Sequence, residues 1–471
     1  MHYTSALKHL TKQKIVILGL GAEGWSTYQF LRSHLPKLKL AIADQRSIAQ
    51  LNSDQQTILQ QDSQLTLLLG SNYLDKINKF DLIFKAPGIP KSLPAIKKAI
   101  GKGAQLASNT QLFFELCPGK IIGITGTKGK STTAAVIHHV LQTAQLKTLL
   151  LGNIGTPALS QLEQIEADTL VVYELSSHQL ETLTISPYVA VIQDITSEHL
   201  DYYADTKEYQ IAKTAITRWQ HPRDIVIYNP QFAITAKIAS LSPGKHLRHS
   251  LHEGPDNVAF MRQDTLMYRH PGGQVSAVLP ANQLPLPGQH NLYNVLPTII
   301  VGHLFNVDTE TITQALKSFK PLSHRLELVL EKQGVSYYDD SLATNPFATL
   351  RALESFTKPL ILIAGGHERD QDFTDLARVI LEKKVIGLVL FKPTGQRLQT
   401  AIKQIADKSG VKPPPMKFAK NMPEAVKIAH QFIPTMGGIV LMSPASASFG
   451  LFENYHDRGM QFQEAVRNIT A

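Results

Sequence analysis

Gly123-Ile-Thr-Gly-Thr-Lys-Gly-Lys130-Ser-Thr-Thr133 lies between two apolar runs. Lys120-Ile-Ile122 before it reads as a strand, and Ala134-Ala-Val-Ile-His-His-Val-Leu141 after it as a helix. Strand, glycine loop, Lys-Ser and helix together predict a phosphate-binding loop. Backbone amides from Gly126, Thr127, Lys128, Gly129, Lys130, Ser131 and Thr132 would cradle phosphate oxygens. Lys130 supplies a point charge and the Ser131 hydroxyl can ligate Mg²⁺. The common spacing, G-x-x-x-x-G-K-[ST], puts a glycine at 124. Ile124 stands there, with glycines at 123 and 126 instead. The alternative is a Gly/Ser turn that only caps a helix. The loop implies a nucleoside triphosphate without fixing the reaction.

The chain of 471 residues suggests about three domains at ordinary domain sizes. With 43% hydrophobic and 18% charged residues it can bury full cores, which excludes a disordered or fibrous chain. One cysteine, Cys117, excludes a disulfide framework and fits a reducing compartment. Met1 to Lys14 has no apolar run, and no stretch of about 18 apolar residues follows. A cytoplasmic protein without membrane insertion is expected. The net charge of +9 suits either nucleic acid or small polyanions. Lys and Arg are dispersed, with no run longer than pairs such as Lys97-Lys98. That favours small anionic substrates and no nucleic acid.

Residues 1–117 open with Lys14-Ile-Val-Ile-Leu-Gly19-Leu-Gly21-Ala22-Glu23-Gly24, a strand followed by G-x-G-x-x-G, and then a helix from Trp25 to Leu31. A second strand ends at Asp44, 20 residues after Gly24, the spacing of a Rossmann-type acid that meets ribose or similar hydroxyls. A further strand, Asp81 to Ala86, turns at Pro87-Gly88-Ile89. Ligands of such sheets bind beyond the carboxyl ends of the strands. This puts Gly21, Ala22, Glu23, Asp44, Gln45, Arg46 and Gly88 at a candidate site. Read alone, the fingerprint suggests an NAD-dependent dehydrogenase, or simply a tight turn. Arg46 is either a diphosphate partner or a solvated surface residue.

In residues 118–321, three strands after the phosphate loop lead to Asn153, Glu174 and His199 on the phosphate side. Glu174 beside Ser131 fits the oxygen preference of Mg²⁺. Lys213, taken alone, reads as a surface helix residue. Asn291 and Asn294 open a helix and serve either as caps or as readers of an adenine edge. Residues 322–471 begin at His324-Arg325. They carry a strand ending at Asp340 with Thr344 or Asn345 as the following helix cap, then strands at Pro359–Gly365, Val385–Phe391 and Gly438–Met442. The fold class predicted is α/β in three domains: an N-terminal Rossmann-like domain, a central P-loop ATPase-type parallel sheet, and a C-terminal Rossmann-like α/β domain.

Thr125-Gly-Thr-Lys-Gly-Lys-Ser-Thr132, Glu174-Leu-Ser176-Ser-His-Gln179, Glu198-His-Leu-Asp201, Tyr209-Gln-Ile-Ala-Lys213 and His290-Asn-Leu-Tyr-Asn294 together resemble the Mur ligase family. So do Asp340-Ser-Leu-Ala-Thr-Asn345 and Ser443-Pro-Ala-Ser-Ala-Ser448 with its following Phe, Asn, Arg-Gly and Phe. Members are ATP-dependent amide-forming ligases whose loop has the same offset first glycine. The resemblance implies two Mg²⁺ ions. One is held by Ser131 and Glu174, the other by His199 and a carbamylated Lys213, with Lys130, Glu174, His199 and Lys213 as the catalytic set. It implies ATP contacts from Asn291, Asn294, Arg325 and Asp340. It adds Asn153, Ser176 and Gln179 to a site for the UDP part of UDP-N-acetylmuramoyl-L-alanine. A glutamate pocket is implied from Thr344, Arg369, Ser448, Phe449 and Tyr455. Leu342, Arg369 and Tyr455 depart from residues common in the family, and because of Leu342 and Arg369 L-glutamate or another acidic amino acid is the alternative substrate. A monomer and a closing last domain are also expected.

Overall fold

The computed structural model describes all residues except 1, 52, 153–156, 197–201, 204, 287, 321–322, 357, 369–370, 384, 435–436 and 470–471. Three sheets follow one another along the chain. The first contains β1 (Ile15–Leu18), β2 (Leu40–Asp44), β3 (Leu65–Leu69), β4 (Leu82–Lys85) and β5 (Gln105–Ala107). Its order is β3-β2-β1-β4-β5 and every pairing is parallel. Helices from the crossovers cover such a sheet, so β1, β2 and β4 are buried along their whole length and read as continuous rather than alternating apolar runs. The chain order reverses between β1 and β4, which brings the turns after these two strands side by side.

The second sheet contains β6 (Lys120–Thr125), β7 (Thr148–Gly152), β8 (Leu170–Glu174), β9 (Val189–Ile192), β10 (Ile225–Tyr228), β11 (Lys245–Ser250), β12 (Asn257–Arg262), β13 (Thr265–Arg269) and β14 (Val275–Pro280). Its order is β14-β13-β12-β11-β10-β9-β6-β8-β7. The sheet is parallel from β7 to β12, and an antiparallel extension, β12-β13 and β13-β14, is added at one edge. The β12-β13 hairpin closes on Gln263-Asp264, both with positive φ. Such a turn matches the twist of its strands but ordinarily uses Asn-Gly or Asp-Gly. That is why this hairpin is silent in the sequence.

The third sheet contains β15 (Glu327–Lys332), β16 (Val335–Asp339), β17 (Leu360–Gly365), β18 (Gly387–Phe391), β19 (Met416–Phe418) and β20 (Gly438–Met442). Its order is β15-β16-β20-β17-β18-β19, parallel except for the β15-β16 hairpin.

The chain packs as two units. One comprises residues 1–281 and 293–317, and the other residues 282–292 and 318–471. The first two sheets fall in one unit because they share a core. Leu7, Leu31, Phe113 and Phe114 from the first pack in one apolar cluster with Leu162, Tyr173 and Leu180 from the second. Phe113 meets Tyr173 edge to face at 5.5 Å.

Candidate active site

The phosphate loop leaves β6 between its neighbours β8 and β9, the point at which the sheet's chain order reverses. The helix Lys130–Thr143 begins on the loop itself, earlier than predicted, so Lys130 and Ser131 sit in its first turn, where amides point outward. Gly129 adopts φ +83°, and a Cβ there would lie 2.2 Å from Oδ1 of Asn294. Both facts require glycine. They also place the Asn294 amide directly against the loop. The Thr127 amide donates to the Asp194 carbonyl at 2.7 Å, and the Lys130 ammonium to the Thr127 carbonyl at 2.9 Å.

Glu174 ends β8 opposite Ile124 of β6, at the strand end from which the loop departs. It is buried, and its Oε2 has no hydrogen-bond partner among the described residues. A buried carboxylate oxygen is costly without a donor or a cation. Lys213 is not the surface residue that its helix suggests. It is buried, donating to the Gly126 carbonyl at 2.9 Å and facing the Thr125 hydroxyl at 3.4 Å. Asn153, His199 and Arg369 lie outside the described residues.

In the first sheet, the helix after the glycine turn begins at Ala22 rather than Trp25, with Gly21 as its cap. Gly19, at φ +89°, packs so closely on the second turn that a Cβ would lie 2.8 Å from Ile89 and 2.9 Å from Ala86. Asp44 is fully engaged. One oxygen takes the Leu20 amide at 2.7 Å and the Arg46 guanidinium at 2.9 Å, the other the Arg46 amide and Nε at 2.9 Å. Burial alone would raise this carboxyl, but those donors hold it below its ordinary value. Arg46 is thereby neither free nor a plain surface residue. Glu23 accepts a bond from Gln179 at 2.8 Å, and its carboxyl is raised by burial. Ser176 and Gln179 form a reciprocal capping box at the start of the helix Ser177–Leu180. Gln45 and Gly88 stand exposed at the same sheet end. A separate cavity of about 850 Å³, lined by residues such as Lys14, Lys37, Leu38 and Phe80, opens at the opposite end of this sheet.

In the second unit, Asp340 follows β16, accepting from Ser443 Oγ at 2.6 Å and the Leu326 amide at 3.2 Å. Burial raises its carboxyl to about 7 against those donors and the Arg325 charge. Asn345, not Thr344, caps the helix Pro346–Glu354. The Thr344 carbonyl accepts from Gln371, Ser448 is buried, Phe449 is exposed, and the Tyr455 carbonyl takes the Ser341 hydroxyl at 2.8 Å. Asn291 is buried in this unit.

Sequence reasoning missed several residues. Arg458 is wholly buried and bonds Ser341 and Ser446, joining the loops after β16 and β20. His324 pairs with Asp339 at 2.7 Å, a bond that raises the imidazole above its ordinary value. Gln463 donates to both Asp339 and Glu327. Arg458 stands in a quoted motif, so its signal was present but its burial was not. Lys85 carried no signal at all.

Three α/β domains, with a phosphate loop and a buried carboxylate that has one unpartnered oxygen among the described residues on the central sheet, define a nucleotide-dependent enzyme architecture. The chain belongs to the Mur ligase family. Residues 13–108 match the Mur ligase MurD-like N-terminal domain, 124–302 the Mur ligase middle domain, and 324–446 the Mur ligase glutamate ligase domain. A UDP-N-acetylmuramoylalanine–D-glutamate ligase of Acetivibrio thermocellus is 35% identical over 98% of both chains. One of Symbiobacterium thermophilum is 32% identical over 98% of this chain and 99% of its own. Among solved structures, the UDP-N-acetylmuramate-alanine ligase of Thermotoga maritima shares the fold at a TM-score of 0.57 and 18% identity, over 97% of this chain and all of that one. Thermotoga maritima MurF ligase, solved with ADP, does so at 0.56 and 14%, over 98% and 99%. No helix among the described residues is long and apolar enough to cross a membrane.

Proposed function

We propose that the chain joins D-glutamate to UDP-N-acetylmuramoyl-L-alanine at the expense of ATP. In this reading residues 1–117 hold the UDP part, 118–321 hold ATP and 322–471 present the amino acid. A carboxylate is a poor electrophile and must be activated. An oxygen of the substrate's L-alanine carboxylate attacks the γ-phosphorus and ADP leaves, while Lys130 and the loop amides stabilise the charge that develops. The glutamate amine then attacks the acyl phosphate, and phosphate leaves. The single observation that carries this reading is the unpartnered Glu174 oxygen, buried at the strand end from which the phosphate loop departs. Glu174 and Ser131 fit Mg²⁺, a hard cation that takes oxygen ligands. When bound, it would neutralise phosphate charge. His199 and Lys213 are assigned to a second ion, with Lys213 first converted to a carbamate. The Lys213 site, buried against the loop backbone, supports a role at the phosphates rather than at the surface.

The test is phosphate release by pure protein given ATP, magnesium and UDP-N-acetylmuramoyl-L-alanine, with a panel of D- and L-amino acids. Turnover with D-glutamate alone is expected. Turnover with L-glutamate or another acidic residue would reassign the amino-acid pocket, and none with any acid would remove the ligase reading.

A further inference from the structure

Lys85 ends β4, directly before the turn Ala86–Ile89, and its side chain has no exposed surface. Its ammonium lies 2.8 Å from the Ile89 carbonyl, 3.1 Å from the Tyr202 hydroxyl, and 3.3 Å from both the Ala86 carbonyl and Glu181 Oε2. Glu181 is equally buried, and its other oxygen lies 3.6 Å from Lys91. The Tyr202 hydroxyl has one proton to share between the Ile89 carbonyl at 2.9 Å and Glu181 at 3.0 Å. Burial pulls the Lys85 ammonium down from the ordinary lysine value, with Glu181 opposing. Burial and the Glu181 charge keep the Tyr202 phenol protonated.

The three partners come from different parts of the first unit. Ala86 and Ile89 form the turn that packs on Gly19, so they set the shape of the first-sheet cradle. Glu181 immediately caps the helix Ser177–Leu180, whose Gln179 reaches Glu23. Tyr202 lies three residues after His199 in sequence. Its ring is held edge-on by His178 at 4.3 Å.

We infer that Lys85 is a positioning residue for the sugar-nucleotide substrate: it fixes the Ala86–Ile89 turn against Glu181 and Tyr202 of the central domain and so sets the cradle that this substrate enters. The inference rests on the proposed ligase reading and names no contact between Lys85 and substrate. A buried pair can also be merely structural, because removing one partner strands the other's charge. The two roles separate in a double variant. Lys85→Met strands Glu181, whereas Lys85→Met with Glu181→Gln removes the stranded charge yet still leaves the turn carbonyls without their ammonium.

The experiment measures KM for UDP-N-acetylmuramoyl-L-alanine, KM for ATP, kcat and melting temperature. Wild type is assayed first, and its failure to turn over would sink the ligase reading alone. For the double variant the melting temperature recovers relative to Lys85→Met. Its KM for the UDP substrate stays raised about tenfold, with KM for ATP within about twofold, the pattern of lost ground-state positioning. Tyr202→Phe, which removes one oxygen, should raise the same KM in the same direction. It decides the matter should neither lysine variant fold. Wild-type KM for the UDP substrate in a folded double variant, or in Tyr202→Phe, overturns the inference.

Discussion

His249 lies on β11 with both ring nitrogens buried and without partners among the described residues. Burial holds the imidazole neutral, pushing it down to about 3, against an ordinary value near 6.5 in the unfolded chain. Because the folded form resists protonation, the stability it confers is complete above the unfolded value and drains away as pH falls toward 3. Between pH 7.5 and 5 the loss from this one residue is about 2 kcal/mol. His249→Leu should flatten that limb when urea midpoints are compared at the two pH values. An unchanged acid limb in the variant would show that other groups govern it. Individual residues were legible where chemistry dictates their type. Lys130 and Glu174 stand out in the sequence because a phosphate loop calls for a cation and a strand tip beside it for an oxygen donor, and the structure brings both to the same end of the central sheet. Asp44 was legible by spacing, but its partner was not. Nothing in the sequence says that Arg46 folds back onto it rather than standing free. The burial of Lys85 and of Arg458 was invisible for a related reason. A lone Lys or Arg is ordinarily exposed, and only tertiary packing buries it.

The phosphate loop is the element most tightly specified. Gly129 combines a left-handed backbone with the Asn294 amide where a side chain would stand. Gly129→Ala should leave the far-ultraviolet spectrum intact but weaken ATP binding about tenfold or more in equilibrium dialysis, since an alanine here is strained by about 1–2 kcal/mol before the contact with Asn294 is counted. Unaltered ATP affinity would show that the loop does not hold the nucleotide. The parallel strands were legible as apolar runs because burial on both faces leaves little room for polar residues. The antiparallel extension was not. Its hairpin turns on Gln263-Asp264 with positive φ at both, where the usual signal would be Asn-Gly or Asp-Gly. Helix starts were misplaced by a few residues at Ala22 and Lys130, in both cases because a glycine-rich turn passes directly into the first helical turn. Lys213 was misjudged from its own helix, since the groups it bonds are on β6 and the loop that follows.

Over the whole molecule, the shared core of the first two sheets predicts that they unfold together. Residues 1–281 and 293–317 form one packed unit, and residues 282–292 and 318–471 another. Calorimetry should therefore resolve two transitions. UDP-N-acetylmuramoyl-L-alanine at about 100 times its Kd should raise the stability of the first unit by about 2.7 kcal/mol. A single transition, or a shift confined to the second unit, would contradict that assignment. The ligase reading itself turns on whether substrate oxygen passes to phosphate. UDP-N-acetylmuramoyl-L-alanine labelled with ¹⁸O in its alanine carboxylate, incubated with ATP, magnesium and D-glutamate, should yield inorganic phosphate carrying one ¹⁸O per turnover. Amide product formed with wholly unlabelled phosphate would contradict activation through an acyl phosphate.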